Sequence, residues 1–225
     1  MKFNVTEIDN YSQDTAGYFS LKNDGDSCRV RVLFENVNDV EGFCVHQVRL
    51  KTGGFRYVDC LREYNDPMDM CPLCSSGVED DRKLRTKLWI PLYKVETGEI
   101  VFWERGKDFW KKVLYPLMVE KGEPFCGYTF SIVRHGEAND INTTYEFIEE
   151  SVDDTTLDDF DDIPNPVGTM ILQKTYEELE KFIKTRTFDD TNASDDDIPD
   201  LPVRRRGSAS EDAPNRRGTT RPPIR

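Results

Sequence analysis

A mainly β fold, curled into a small closed barrel, is predicted by three features of the sequence. Short runs of alternating side chains recur between residues 18 and 149, turn-forming residues separate them, and one helical stretch, 108–119, interrupts them. Alternation at period two turns one face of each run toward a core. Many short strands with a single helix among them disfavour a parallel α/β sheet, in which helices alternate with strands, and favour a small barrel.

Taken in order, 18–22 and 28–35 (CRVRVLFE) are expected to pair around Asn23-Asp24-Gly25-Asp26. Runs 44–50 and 55–60 flank Lys51-Thr52-Gly53-Gly54, and runs 88–95 and 99–104 flank Glu96-Thr97-Gly98, so both read as hairpins. The helix over 108–119 has Asp108 as its expected N-cap, and Pro116 predicts a kink or an early end. Runs 125–134 and 143–149 are the last strands. A short helix over 175–187 opens with Thr175 three residues before Glu178, the spacing of a capping box, and puts Leu179, Phe182 and Ile183 on one face.

Charge divides the chain further. Residues 1–150 carry a net charge of −7, residues 151–200 of −11 and residues 201–225 of +5. The expected organisation is an irregular N-terminal arm (1–17), a β core (18–150) with a metal subdomain at about 44–80, an acidic linker with a short helix (151–188), and a disordered acidic-then-basic tail (189–225). No apolar run reaches the ~18 residues of a membrane span, and MKFNVTEIDN lacks the apolar stretch of a signal peptide. A reducing compartment is therefore expected, where the six cysteines are thiols or metal ligands rather than disulfides.

His46, Cys60, Cys71 and Cys74 are the candidate ligands of one structural Zn²⁺. The Cys-x-x-Cys turn at 71–74 presents two thiolates to one tetrahedral ion, and the 44–60 hairpin brings His46 and Cys60 to it. Cys44 rivals His46, because residues two apart on a strand share a face. Cys28 and Cys126 sit in apolar runs and read as core. Catalysis by the ion is not expected. Zinc nucleobase deaminases carry a glutamate two residues after the histidine, but Val48 stands there, and four protein ligands leave no open position. No glycine-rich phosphate loop is present, so no enzyme activity is expected.

Two basic runs lie against aromatic residues. Arg82-Lys83-Leu84-Arg85-Thr86-Lys87 leads into Leu88-Trp89, and Arg105-Gly106-Lys107 leads into Phe109-Trp110-Lys111-Lys112. A cationic track for phosphates with aromatic faces for bases is what single-strand binding needs. Trp89, Tyr93, Tyr57 and Tyr64 are favoured as stacking faces over Phe102, Phe109 and Trp110, and about half of the aromatics in these runs are expected to be buried.

The order of one histidine and three cysteines, the segment RKLRTKLW and the segment 106–113 (GKDFWKKV) resemble the phage single-stranded-DNA-binding proteins of the T-even helix-destabilising type, over roughly residues 28–150. The resemblance implies an OB-fold-type five-stranded barrel with an inserted zinc subdomain. It also implies sequence-independent binding of single-stranded DNA in phage DNA replication, recombination and repair, in the cytoplasm of an infected host cell. The contacts it carries over are Arg82, Lys83, Arg85, Lys87, Trp89, Arg105, Lys107 and Lys111; with Lys51, Arg56, Tyr57, Tyr64 and Tyr93 these make the full candidate set. Asp195, Asp196, Asp197 and Asp200 are expected to recruit replication and recombination proteins, and the chain to be a monomer or weakly self-associating. The alternatives are a zinc-containing adaptor for replication proteins and an RNA-binding translational regulator.

Overall fold

The computed structural model describes residues 17–188, apart from 139, 141 and 162. The expected N-terminal arm (through residue 16) and the acidic-then-basic tail, including Asp195 to Asp197 and Asp200, lie outside the described residues. Eight strands form one sheet: β1 (Ser27–Val32), β2 (Phe43–Arg49), β3 (Phe55–Asp59), β4 (Leu84–Lys94), β5 (Ile100–Gly106), β6 (Tyr128–His135), β7 (Thr144–Val152) and β8 (Ile171–Leu172). Their order is β7-β6-β1-β4-β2-β3-β8, with β5 along β4. The mainly β expectation holds, and the strands make a single open sheet.

β4 organises that sheet because its 11 residues exceed the reach of any one partner. Its first residues bond to β2 (His46 opposite Leu84) and its last to β1 (Val32 opposite Leu92), both on one edge. β5 runs along the other edge from Lys87 to Tyr93. Side chains alternate across β4. Leu88, Ile90 and Leu92 enter the main core with Val30, Val32, Trp103, Phe130 and Ile132, while Trp89 enters a second cluster with Val45, Tyr57, Phe102, Met170 and Ile171. The sheet curls so that Trp103 on β5 meets Tyr145 on β7 edge-to-face, ring centroids 4.9 Å apart.

Both expected hairpins form, 44–60 as β2–β3 and 88–104 as β4–β5. The expected pairing of 18–22 with 28–35 does not. Phe19 donates instead to the Phe102 carbonyl (2.8 Å), and its ring packs edge-on against Trp103. Asn23 to Asp26 still make a turn, held by the Asp26 carboxylate accepting the Lys22 and Asn23 amides. Burying two aromatic rings against β5 outweighs a local hairpin with one polar strand.

The helical stretch is composite: α2 (Lys107–Phe109), a π turn (Trp110–Leu114) and α3 (Tyr115–Lys121), preceded in the chain by the short α1 (Glu79–Arg82). Gly106, not Asp108, occupies the N-cap. Pro116 does not stop the helix, which continues to Lys121. It has no amide to donate, and its ring would strike the carbonyl four residues back. The π turn, in which the Tyr115 amide donates to the Trp110 carbonyl, widens the backbone where the proline needs room.

α4 (Tyr176–Thr185) has the expected cap. Glu178 N–H donates to Thr175 Oγ1 (3.3 Å), and Thr175 N–H donates to the Glu178 carboxylate (2.7 Å). Its apolar face does not pack on the main core. Leu179 and Phe182 are buried against Val48, Val58 and Leu73 beside the cysteines. It ends at Arg186, which adopts a left-handed conformation, φ 60° and ψ 25°.

Candidate metal centre and nucleic-acid interface

β2 supplies His46, the residue after β3 supplies Cys60, and a loop entered through a 3-10 turn (Met68–Met70) supplies Cys71 and Cys74. His46, Cys71 and Cys74 are buried and Cys60 is partly exposed. All four donor atoms lie within 4.8 Å of one another. Cys60 Sγ is 3.7 Å from Cys74 Sγ, and His46 Nε2 is 3.7 and 3.5 Å from the sulfurs of Cys71 and Cys74. A tetrahedron with Zn-length bonds has edges of about 3.8 Å between sulfurs and about 3.5 Å between sulfur and nitrogen. The donors are therefore spaced to share one tetrahedral ion, and the cluster can hold a metal. Cys44 is exposed and outside it. Cys126 is buried as expected, whereas Cys28 is only half-buried.

The hydrogen bonds around the cluster orient it. His46 Nδ1 lies 2.6 Å from the Asp81 carbonyl oxygen, which can only accept, so Nδ1 carries the proton and Nε2 is left for a cation. The Cys60 and Cys71 thiols are tightly linked: their interaction draws Cys71 below the ordinary thiol range and, together with burial, pushes Cys60 above it. The Arg62 guanidinium, with Nη1 3.5 Å from Cys74 Sγ, brings a positive charge beside the thiols. The Asp81 carboxylate is buried and bound by Arg186 Nη1 at 2.6 Å and by Ser76 Oγ at 3.4 Å. Neither Asp81 nor Arg186 stands out in the sequence, since one ends an acidic run and the other follows an ordinary helix.

The expected nucleic-acid contacts divide. Lys51, Arg82, Lys83, Arg85, Lys107 and Lys111 are exposed, and Tyr64 is 94% exposed on the loop between Cys60 and Cys71. Lys83 is paired with Glu79 and Asp80 at 3.3 and 2.8 Å. Lys87 is paired with Glu104. The Arg105 guanidinium lies 4.0 Å from the Trp103 ring and 4.3 Å from that of Tyr145. Arg56 is buried, and Tyr93 is half-buried against Phe160.

Trp89 and Tyr57 correct the sequence expectation. They are 3% and 4% exposed and pack edge-to-face, centroids 5.2 Å apart, so neither presents a ring to a base. Alternation along β4 does put Trp89 opposite the main core, but Met170 and Ile171 arrive from a distant segment and cover that face. Burial also pushes the Tyr57 hydroxyl far above the usual phenol range.

The two basic runs, well separated in sequence, are joined by the β4–β5 ladder. Lys87 stands opposite Gly106, so the exposed residues before β4's buried half lie beside the start of α2 at Lys107. Among the described residues no helix is long and apolar enough to cross a membrane. No family model matches this chain, and no curated protein or solved structure matches it.

Proposed function

We propose that the protein binds single-stranded DNA without sequence preference, coating and protecting it during phage DNA replication, recombination and repair, and that His46, Cys60, Cys71 and Cys74 hold one structural Zn²⁺. The observation that carries the reading is the pairing of Lys87 with Gly106, which sets the basic segment that ends in the exposed Arg85 beside the start of the basic helical stretch at Lys107. In a chain of net charge −13, exposed cations gathered at one place supply the local field that phosphates need. The curl bringing Trp103 to Tyr145 supports an OB-type barrel as the frame. With four protein donors the ion has no open position for substrate, and its role is to hold the β2–β3 hairpin and the Cys60–Cys74 loop together.

The test is metal analysis of the purified protein combined with anisotropy titration of labelled oligo-dT at several salt concentrations. One zinc per chain and an affinity that falls steeply with salt are expected. Failure to bind oligo-dT at low salt sinks the DNA reading, and metal-free folded protein sinks the zinc reading.

The adaptor reading draws on a separate observation. The loop between Cys60 and Cys71 exposes Tyr64, Met68 (51%) and Met70 (54%) beside Glu63, Asp66 and Asp69, a surface suited to a protein rather than to phosphate. Silence toward oligo-dT together with an intact metal site favours it.

A further inference from the structure

With Trp89 and Tyr57 buried, a single-strand binder needs its base-stacking face elsewhere. The helical stretch after β5 offers one. Tyr115 is 46% exposed, a high value for a ring on a helix that also feeds the main core. Trp110 is half-buried against that core and meets Tyr115 edge-to-face, centroids 5.3 Å apart and planes at 66°.

The pairing depends on the π turn. In an α-helix, residues three and four apart are neighbours and residues five apart are not. The five-residue closure from Trp110 to Tyr115 brings these two rings together. Trp110, packed on the core, then holds the Tyr115 ring edge-on while leaving area on Tyr115 open.

Charge identifies the occupant. Lys107, Lys111 and Lys112 on the same stretch are exposed, and none forms an ion pair among the described residues. Lys83, Lys87, Lys94 and Lys121, by contrast, are each paired with a glutamate or an aspartate. Three uncompensated cations on the same helical stretch as an open ring fit a phosphate backbone with an unstacked base.

We infer that Tyr115, buttressed by Trp110, is a base-stacking platform for single-stranded nucleic acid, with Lys107, Lys111 and Lys112 holding the flanking phosphates. This rests on the single-strand reading above and adds the residue that reads the base.

Tryptophan fluorescence provides a local reporter, because Trp89 and Trp103 are 3% and 2% exposed and only Trp110 neighbours the platform. The experiment uses the full chain, labelled oligo-dT and an abasic oligonucleotide of equal length and charge. The wild type should bind oligo-dT more tightly than the abasic strand, with quenching of Trp110. Tyr115→Ala should weaken oligo-dT binding by about ten-fold or more, the loss of one stacked base, and leave abasic binding and the melting temperature unchanged. Tyr115→Phe, which keeps the ring, should restore oligo-dT affinity.

Unchanged oligo-dT affinity in Tyr115→Ala, or an equal loss on both strands, overturns the platform while leaving the DNA reading intact. Wild-type protein that binds neither strand overturns both.

Discussion

The main core and the metal module solve the same problem with different materials. The main core buries fourteen apolar side chains, including Trp103, Phe125, Phe130 and Leu114, drawn from the strands, their connections and the helical stretch after β5. In the cluster around the candidate ligands, the module itself contributes Val48, Val58, Leu73, Cys71 and Cys74, and the other buried side chains come from 172–188. One region is held by hydrophobic burial alone, and the other draws on a borrowed helix and, on the zinc reading proposed above, on an ion.

Removing the ion is the largest test of that contrast. Chelation, or Cys71→Ser, should abolish metal binding and amide-exchange protection in β2, β3 and α4, while β1 and β6 stay protected. Loss of protection everywhere at once would show that the two regions are one cooperative unit. The converse is Trp103→Ala. It should cost about 3–5 kcal/mol in denaturant unfolding, as for other large buried aromatics, with metal stoichiometry retained at low denaturant.

Arg186→Ala should have a smaller effect. It leaves the Asp81 carboxylate buried without its cation, and because Arg186 is partly solvent-exposed the loss should be about 1–2 kcal/mol. It should also weaken metal retention, measured as faster transfer of zinc to a chelator, since Asp81 orients His46. Equal transfer rates in the two proteins would separate the helix from the site.

The smallest effect concerns acid. Arg31 binds Asp153 and holds its carboxyl below the usual range. A carboxylate whose pKa is depressed on folding stabilises above its unfolded value, about 3.9, and that contribution fades as pH falls through the folded value. Asp153→Asn should therefore shallow the acid limb of the main-core melting profile and leave metal content at neutral pH unchanged.

The ligand order, both hairpins and the Thr175 cap were legible because each depends on residues close in sequence. What escaped depends on distant covering. Alternation assigned Trp89 to the face away from Leu88 and Ile90, but nothing local announces that Met170 and Ile171 will close over it. Pro116 marks a disturbance, but its local sequence does not announce that a π turn precedes it or that the helix runs on to Lys121. Asp81 is indistinguishable from Glu79 and Asp80 until Arg186 arrives beside it.

Arg186 occupies a left-handed backbone conformation that most residues avoid, and glycine is the usual choice just beyond a helix end. From that position its carbonyl accepts the Lys51 amide at 2.9 Å while its guanidinium reaches Asp81. Glycine would close α4 with less backbone strain but would bring no cation. Selection at this position therefore sets conformational ease against charge, and the residue that best ends the helix differs from the residue that best serves the histidine two contacts away.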